Sequence, residues 1–268
     1  MMSERHRLGK VYLVGAGPGD PGLLTIKGYE LLRRCDVVIY DALVDPAILA
    51  IVPAETERIF VGAAHDPTRL AQDEIERLMI IRARQGKQVV RLKGGDPFIF
   101  GRGGEEALAL TRAGVPWEVV PGVSAGHGVP AAARIPLTCR GYASSVAFVT
   151  GHECSDKGSS VAWDKLAQAA DTLVIFMGAR TLPQIVEALL GGGRLPTTPI
   201  AVIERGTSPR ERVRVATLGT IREMIAGDPV RSPALIVVGE VVSLRARLQA
   251  EPEEKSVEVF DDVLSGVS

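Results

Sequence analysis

The order of apolar residues in the first hundred positions leaves few folds open. Short β-branched runs alternate with longer amphipathic ones: "KVYLVGA" reads as a strand, "LLTIKGYELLRRC" as a helix, "DVVIYD" as a strand, "RLAQDEIERLMIIRARQ" as a helix and "QVVRLKGG" as a strand. Strands joined through helices pair in parallel, because the crossover must return the chain to the same end of the sheet. In the helix expected to begin near Thr68, Leu70, Ile75, Leu78, Met79 and Ile81 recur at about helical spacing and are assigned to the core. Asp73, Glu74, Glu76 and Arg77 are left for the wet side.

A second series follows the glycine- and proline-marked segment "VVPGVSAGHGVPAAARIPLTCRGY". Here "SVAFVTG", "TLVIFMG", "PIAVIERG", "RVRVATL" and "ALIVVGEVV" read as strands, and "AWDKLAQAA", "LPQIVEALLG" and "TIREMIAG" as helices. The expectation is a chain of two α/β domains with an active-site cleft between them. Its divisions are an N-terminal tail at 1–9, an α/β domain at 10–120, a second α/β domain at 121–248 and a flexible acidic tail at 249–268. The two halves share no detectable sequence repeat.

Composition narrows the function classes. A chain of 268 residues with 46% hydrophobic content can fill two cores. Its 31 Lys+Arg against 32 Asp+Glu offer no general attraction to nucleic acid or to a membrane surface. The three cysteines, Cys35, Cys139 and Cys154, form no CxxC pair, and the four histidines, His6, His65, His127 and His152, lack metal-ligand spacing. No metal is expected. The polar start and the lack of any apolar window of about eighteen residues point to the cytoplasm.

Two glycine-rich strings then point to chemistry. Residues 14–22, "VGAGPGDPG", follow the first strand, yet Gly15, Gly17 and Gly19 miss the G-x-G-x-x-G spacing of a dinucleotide site. Pro18 also removes one N–H from a loop that would have to cradle phosphate. A ligand without phosphate fits better. Residues 94–106, "GGDPFIFGRGGEE", follow the strand ending in "VVRLK", so two strand ends would present glycine backbone and a carboxylate to one cleft. In open α/β sheets ligands collect at the carboxyl ends of strands. Asp96 before Pro97 also fits a plain turn opener.

These strings, with "DVVIYDALV", "PGVSA", "IPLTCRGYASSVAFVTGH", "TLVIFMG", "IERGT" and "SPALIVVGEVV", resemble in order and spacing the tetrapyrrole (corrin/porphyrin) methyltransferases, over residues from Gly9 to Leu248. The resemblance implies a homodimeric cytosolic enzyme that binds S-adenosylmethionine in the cleft. The implied reaction is C-methylation of uroporphyrinogen III on rings A and B, giving precorrin-2 for siroheme or cobalamin biosynthesis, with S-adenosylhomocysteine as by-product. By position, the implied cofactor contacts are Pro18, Gly94, Gly95, Asp96, Ile99, Ser124, Ala125, Met177, Gly206 and Ala234. Asp41 matches the family's proton acceptor. Read alone, Met177 would be strand core and Asp41 a loop cap.

A substrate rimmed with carboxylates calls for arginine forks, and the candidates are Arg91, Arg102, Arg134 and Arg140. The chain departs from the family twice. Ala63 stands where members with "VGK" have a lysine assigned as proton donor, and Cys139 replaces the histidine of "PLTHRG". Rival readings are a methyltransferase acting on a later precorrin, a non-catalytic tetrapyrrole-binding protein and, disfavoured by the glycine spacing, a nicotinamide dehydrogenase.

Overall fold

In the computed structural model, which describes residues 8–62, 70–151 and 161–250, the first half of the chain forms one fully parallel sheet. Its elements are β1 (Lys10–Gly15), α1 (Ile26–Leu32), β2 (Val37–Tyr40), α2 (Pro46–Leu49), β3 (Glu57–Phe60), α3 (Gln72–Arg84), β4 (Gln88–Lys93), α4 (Gly103–Arg112) and β5 (Trp117–Val120). The strand order is β3-β2-β4-β1-β5. β1 and β4 run through the middle of the sheet with helices on both faces, which explains the apolar run of β1, while β4 also buries Arg91 and Lys93. Val11 and Leu13 pack with Ile75 and Met79 of α3, while Val14 packs with Leu32 and Val38 on the other side. Thr25 caps α1 by accepting from the Gly28 amide, and the Glu74 carboxylate accepts the Ala71 amide at the start of α3.

The second half comprises α5 (Ala125–Ala132), β6 (Val146–Thr150), α6 (Trp163–Ala169), β7 (Thr172–Phe176), α7 (Leu182–Gly191), β8 (Pro199–Glu204), β9 (Arg212–Thr217), α8 (Ile221–Ala226), β10 (Ala234–Val238) and α9 (Leu244–Gln249). These strands form a mixed sheet in the order β6-β7-β10-β8-β9. Only β6 and β7 pair in parallel; β10 runs antiparallel to both β7 and β8, and β8 to β9. One face is covered by α7 and α8 through Leu182, Ile185, Leu189, Ile221 and Ile225. Val129 of α5 packs on the other face with Val174, Ile203 and Val237. No helix among the described residues is long and apolar enough to cross a membrane.

Several elements differ from the sequence reading. Ile81, assigned to the core of α3, is 47% exposed, and Ala83 takes the inward position with Ile75 and Met79. Four-residue steps stay on one helix face, whereas six residues from Ile75 to Ile81 turn well off it. The run "ALIVVGEVV" is a strand only to Val238; Gly239, at φ 147°, diverts the chain into a 3-10 turn over Glu240–Ser243. The segment "AGHGVPAA" is a helix despite two glycines and Pro130. Its glycines permit flush packing, since a Cβ on Gly126 would stand 2.8 Å from the Phe176 ring and one on Gly128 2.7 Å from Val123. Tertiary contact here outweighs poor helix propensity.

Candidate active site

The chain crosses between sheets at residues 121–124, and the glycine strings meet there. Gly17 and Gly95 pair as a two-residue bridge, the Gly95 amide donating to the Gly17 carbonyl at 2.7 Å and the Gly17 amide to the Gly95 carbonyl at 3.2 Å. Gly122 closes the node: a Cβ there would lie 2.3 Å from the Gly95 oxygen and 2.7 Å from Gly15 Cα. Three backbone segments therefore touch without side chains between them. Asp96 latches the node, accepting the Gly122 amide at 3.1 Å on Oδ2 and the Phe98 amide at 2.8 Å on Oδ1. The turn-opener reading of Asp96 is thus part of the observed geometry, and each oxygen keeps a lone pair for another donor.

The N-terminal half of α5 gathers the predicted cofactor positions from both sheets. Ser124, 2% exposed, caps the helix by accepting the Gly126 amide, and a Cβ on Gly95 would stand 3.5 Å from the Ala125 nitrogen. The Pro18 ring lies over Gly128, and Gly206 backs so closely onto Val129 that a Cβ would stand 2.3 Å from Val129 Cγ1. The Thr207 hydroxyl accepts the Asp20 amide, joining the first glycine loop to the loop after β8. Ala234 pairs with Glu204 at the end of β8, and the Arg205 amide donates to the Pro233 carbonyl. Met177 follows β7 and is 51% exposed, so it is not the core residue its strand context suggests. Ile99 is half-buried in the turn that carries Phe100 against Phe176, ring centroids 4.9 Å apart.

Phe100, Met177, Arg205 and Thr207 all have positive φ, between 49° and 64°. Non-glycine residues held there carry strain that concentrates at ligand sites. The donor set suits a cationic nucleoside better than a dinucleotide: the acids Asp20 and Asp96 accompany the loops, and Pro18 contributes no amide. Among the described residues no group of three or more potential metal ligands occurs.

Asp41 lies just past β2. Its Oδ1 accepts the Leu43 amide at 3.1 Å, and its Oδ2 stands 3.5 Å from Arg91 Nη2. Leu43, 61% exposed, is carried against Gly94 at the end of β4. Behind Asp41 is a buried ionic cluster that the sequence reading missed. Arg91 Nε and Lys93 Nζ each donate at 3.0 Å to Glu106 Oε1, with Glu106 fully buried. Burial, reinforced by the Arg91 charge, pushes the Lys93 ammonium below its ordinary value. The helical spacing of Glu106, Ala107 and Leu110, all buried, is the signal that could have marked Glu106 as inward-facing.

Three of the four predicted carboxylate-binding arginines are placed otherwise. Arg91 is 3% exposed, and its guanidinium is taken up by Glu106, Asp41 and the Ile39 and Leu92 carbonyls. Arg134 follows the C-terminal end of α5, where Nη1 reaches the Leu248 carbonyl, at the far end of that helix from Ser124. Arg140 sits in the Cys139–Ala143 turn before β6, at the opposite end of the second sheet from Met177. Arg102 remains exposed at the start of α4, its fork engaged by Glu105. Cys139 is half-buried in the same turn as Arg140. Ala63, His6, His65, His152, Cys154 and the tail from 251 onward lie outside the described residues.

Residues 10–222 match the model of the tetrapyrrole (corrin/porphyrin) methylases. The chain belongs to that family. It is 50% identical over 245 residues to the siroheme synthase of Gluconobacter oxydans (strain 621H), covering 91% of this chain and 52% of that protein. It thus spans about half the length of the curated relatives it matches. Among solved structures it is similar to the uroporphyrin-III C-methyl transferase of Thermus thermophilus complexed with S-adenyl homocysteine. Identity there is 46% and the TM-score 0.76, covering 88% of this chain and all of the other. A cobalt precorrin-4 methyltransferase superposes at TM-score 0.79 with 28% identity, covering 90% of this chain and 99% of its own.

Proposed function

We propose that this chain is an S-adenosylmethionine-dependent uroporphyrinogen-III C-methyltransferase that forms precorrin-2 by methylating rings A and B in turn. The observation that carries it is the glycine node beside α5, a phosphate-averse pocket floor with Asp41 at the neighbouring strand end, in a chain 46% identical, across 88% of its length, to a uroporphyrin-III C-methyl transferase. The cleft lies between lobes at 10–120 and 121–248. Pro18, Gly94, Gly95 and Ile99 shape one wall, Ser124 and Ala125 the floor, and Met177, Gly206 and Ala234 the wall that flanks the adenine. Asp96 holds the node and offsets the cofactor's positive charge.

The bound cofactor supplies an electrophilic methyl group on a sulfonium. The pyrrole carbon is itself the nucleophile, so the protein's work is alignment and exclusion of water. Phe100, Phe176 and Met177 provide apolar surface for this. Methylation leaves the ring cationic, and one proton must depart; Asp41 Oδ2 accepts it. Arg102 is the arginine best placed to meet a substrate carboxylate. Siroheme formation fits the product on the strength of the relatives' names, and the cobalamin route shares it. We place the enzyme in the cytoplasm as a homodimer, which light scattering at working concentration checks through the mass.

S-adenosylhomocysteine at a hundredfold excess over its Kd should stabilise the fold by about 2.7 kcal/mol, and NAD should not. Anaerobic incubation with uroporphyrinogen III and methyl-labelled cofactor should add two labelled methyls. Stabilisation by NAD alone, or label absent from the tetrapyrrole, overturns the reading.

A further inference from the structure

Four charged side chains meet at the carboxyl ends of β2 and β4, and only one of them is open to the cleft. Asp41 has 25% of its side chain exposed, against 4% for Arg91, 5% for Lys93 and none for Glu106. Two cations and two carboxylates balance. Ion clusters buried in this way contribute little net stability, because desolvation offsets their attraction, and apolar residues of similar volume would serve the fold as well. Their position directly behind the candidate base therefore calls for another explanation. Arg91 is the link: Nε is bound to Glu106, Nη1 to the Ile39 and Leu92 carbonyls, and Nη2 stands 3.5 Å from Asp41, the longest of its carboxylate contacts.

We propose that Glu106 is a positioning residue for methyl transfer, holding Arg91 and Lys93 so that their charge is shared and Asp41 keeps a loosely held, proton-accepting oxygen. The inference rests on the functional reading above. When the methylated ring gives up its proton, the bond pair returns to the ring, the proton goes to Asp41 Oδ2, and Asp41 passes it to water at the cleft mouth. A bidentate Arg91–Asp41 pair would oppose that step by favouring the ionised carboxylate. Glu106 prevents it by anchoring Nε from behind. Its Oε2 has no partner among the described residues, so the Oε1 contacts alone hold both cations.

Among the described residues, the charged groups facing this site are Arg91 and Lys93 from β4 and Glu106 from α4; further out, Glu105 interacts with Lys93 and Arg102 with Glu106, and Glu76 acts on Arg102. The test is the pH dependence of kcat, with S-adenosylhomocysteine affinity and thermal midpoint measured on the same variants. Glu106→Gln leaves two cations beside Asp41, so the acid limb should move down by on the order of one pH unit and the plateau rate fall about tenfold. Lys93→Met leaves an excess of negative charge, so the limb should move up. Glu106→Gln with Lys93→Met restores the balance and should bring the limb back toward wild type. S-adenosylhomocysteine affinity should stay within about threefold in all three.

A merely structural cluster predicts the opposite pattern: lower midpoints, unmoved limbs and a double variant worse than either single one. That result overturns the inference alone, provided the wild type is active. If Glu106→Gln does not fold, the upward limb of Lys93→Met decides by itself. A wild type that transfers no methyl overturns the functional reading and this inference with it.

Discussion

Asp41→Asn should lower turnover by about a hundredfold or more while leaving S-adenosylhomocysteine affinity within about threefold of wild type. The substitution separates two roles that the carboxylate plays at once. Its Oδ1 accepts the Leu43 amide at 3.1 Å, and an asparagine oxygen can make the same bond, so the turn past β2 stays formed. An amide cannot accept a proton at neutral pH, so the second oxygen loses its chemical role. Asp41 is also absent from the glycine node and from α5, the two features that hold the nucleoside in the proposed reading. Single-turnover label transfer and calorimetry on the same preparation make the comparison. Full turnover in Asp41→Asn would remove Asp41 as base and turn attention to water or to the substrate's own carboxylates. Loss of S-adenosylhomocysteine binding together with turnover would show that the residue's main role is to shape the loop.

The second large effect belongs to Gly122→Ala. A Cβ at Gly122 has backbone on two sides, the Gly95 oxygen at 2.3 Å and Gly15 Cα at 2.7 Å, and neither can swing away as a flexible side chain would. Relief requires β1 and the loop after β4 to separate, which strains the Gly17–Gly95 bridge and draws the Gly122 amide from Asp96. The expected cost is about 3 kcal/mol, at the upper end for overpacking, and cofactor affinity should drop at least tenfold because the floor of the pocket moves. Gly104→Ala is the control. Gly104 lies in α4 with nothing within 4 Å of the added methyl, so that change should be neutral or stabilise by up to about 1 kcal/mol. Equal midpoints for the two variants would mean that the node tolerates a methyl and that glycine there has another cause.

Both predictions rest on contacts of different legibility. Local pattern carried much of the fold: α7 occupies the same ten residues, Leu182–Gly191, that its apolar period marks, and β1, β2 and β4 lie where the β-branched runs put them. The glycine strings were legible too, because a tight turn after a strand restricts residue choice within a few positions. The helix α5 was not. Its composition argues for a loop, and it exists because Gly126 and Gly128 let it sit against Phe176 and Pro18, residues distant in sequence. Nor does strand periodicity distinguish the parallel first sheet from the mixed second one, where β10 enters between β7 and β8. Pairing partners are chosen by which edges remain open when the chain returns.

The same division runs through the site. Residue type and spacing singled out the glycine loops at the ends of β1 and β4, since backbone without a side chain is a local requirement; Asp41, a loop cap when read alone, was marked only by the family resemblance. What an arginine does is not local. Arg91 and Arg102 are alike in sequence as potential carboxylate forks, yet one is shut beneath α4 with Glu106 and the other stands at the rim with Glu105. Tertiary structure decided between them, because the environment of a charge is set by what packs over it, and a residue's own neighbours in the chain do not determine that. Alternation along β4 places Arg91 and Lys93 on one face, and only the docking of α4 turned that face into the buried support of Asp41.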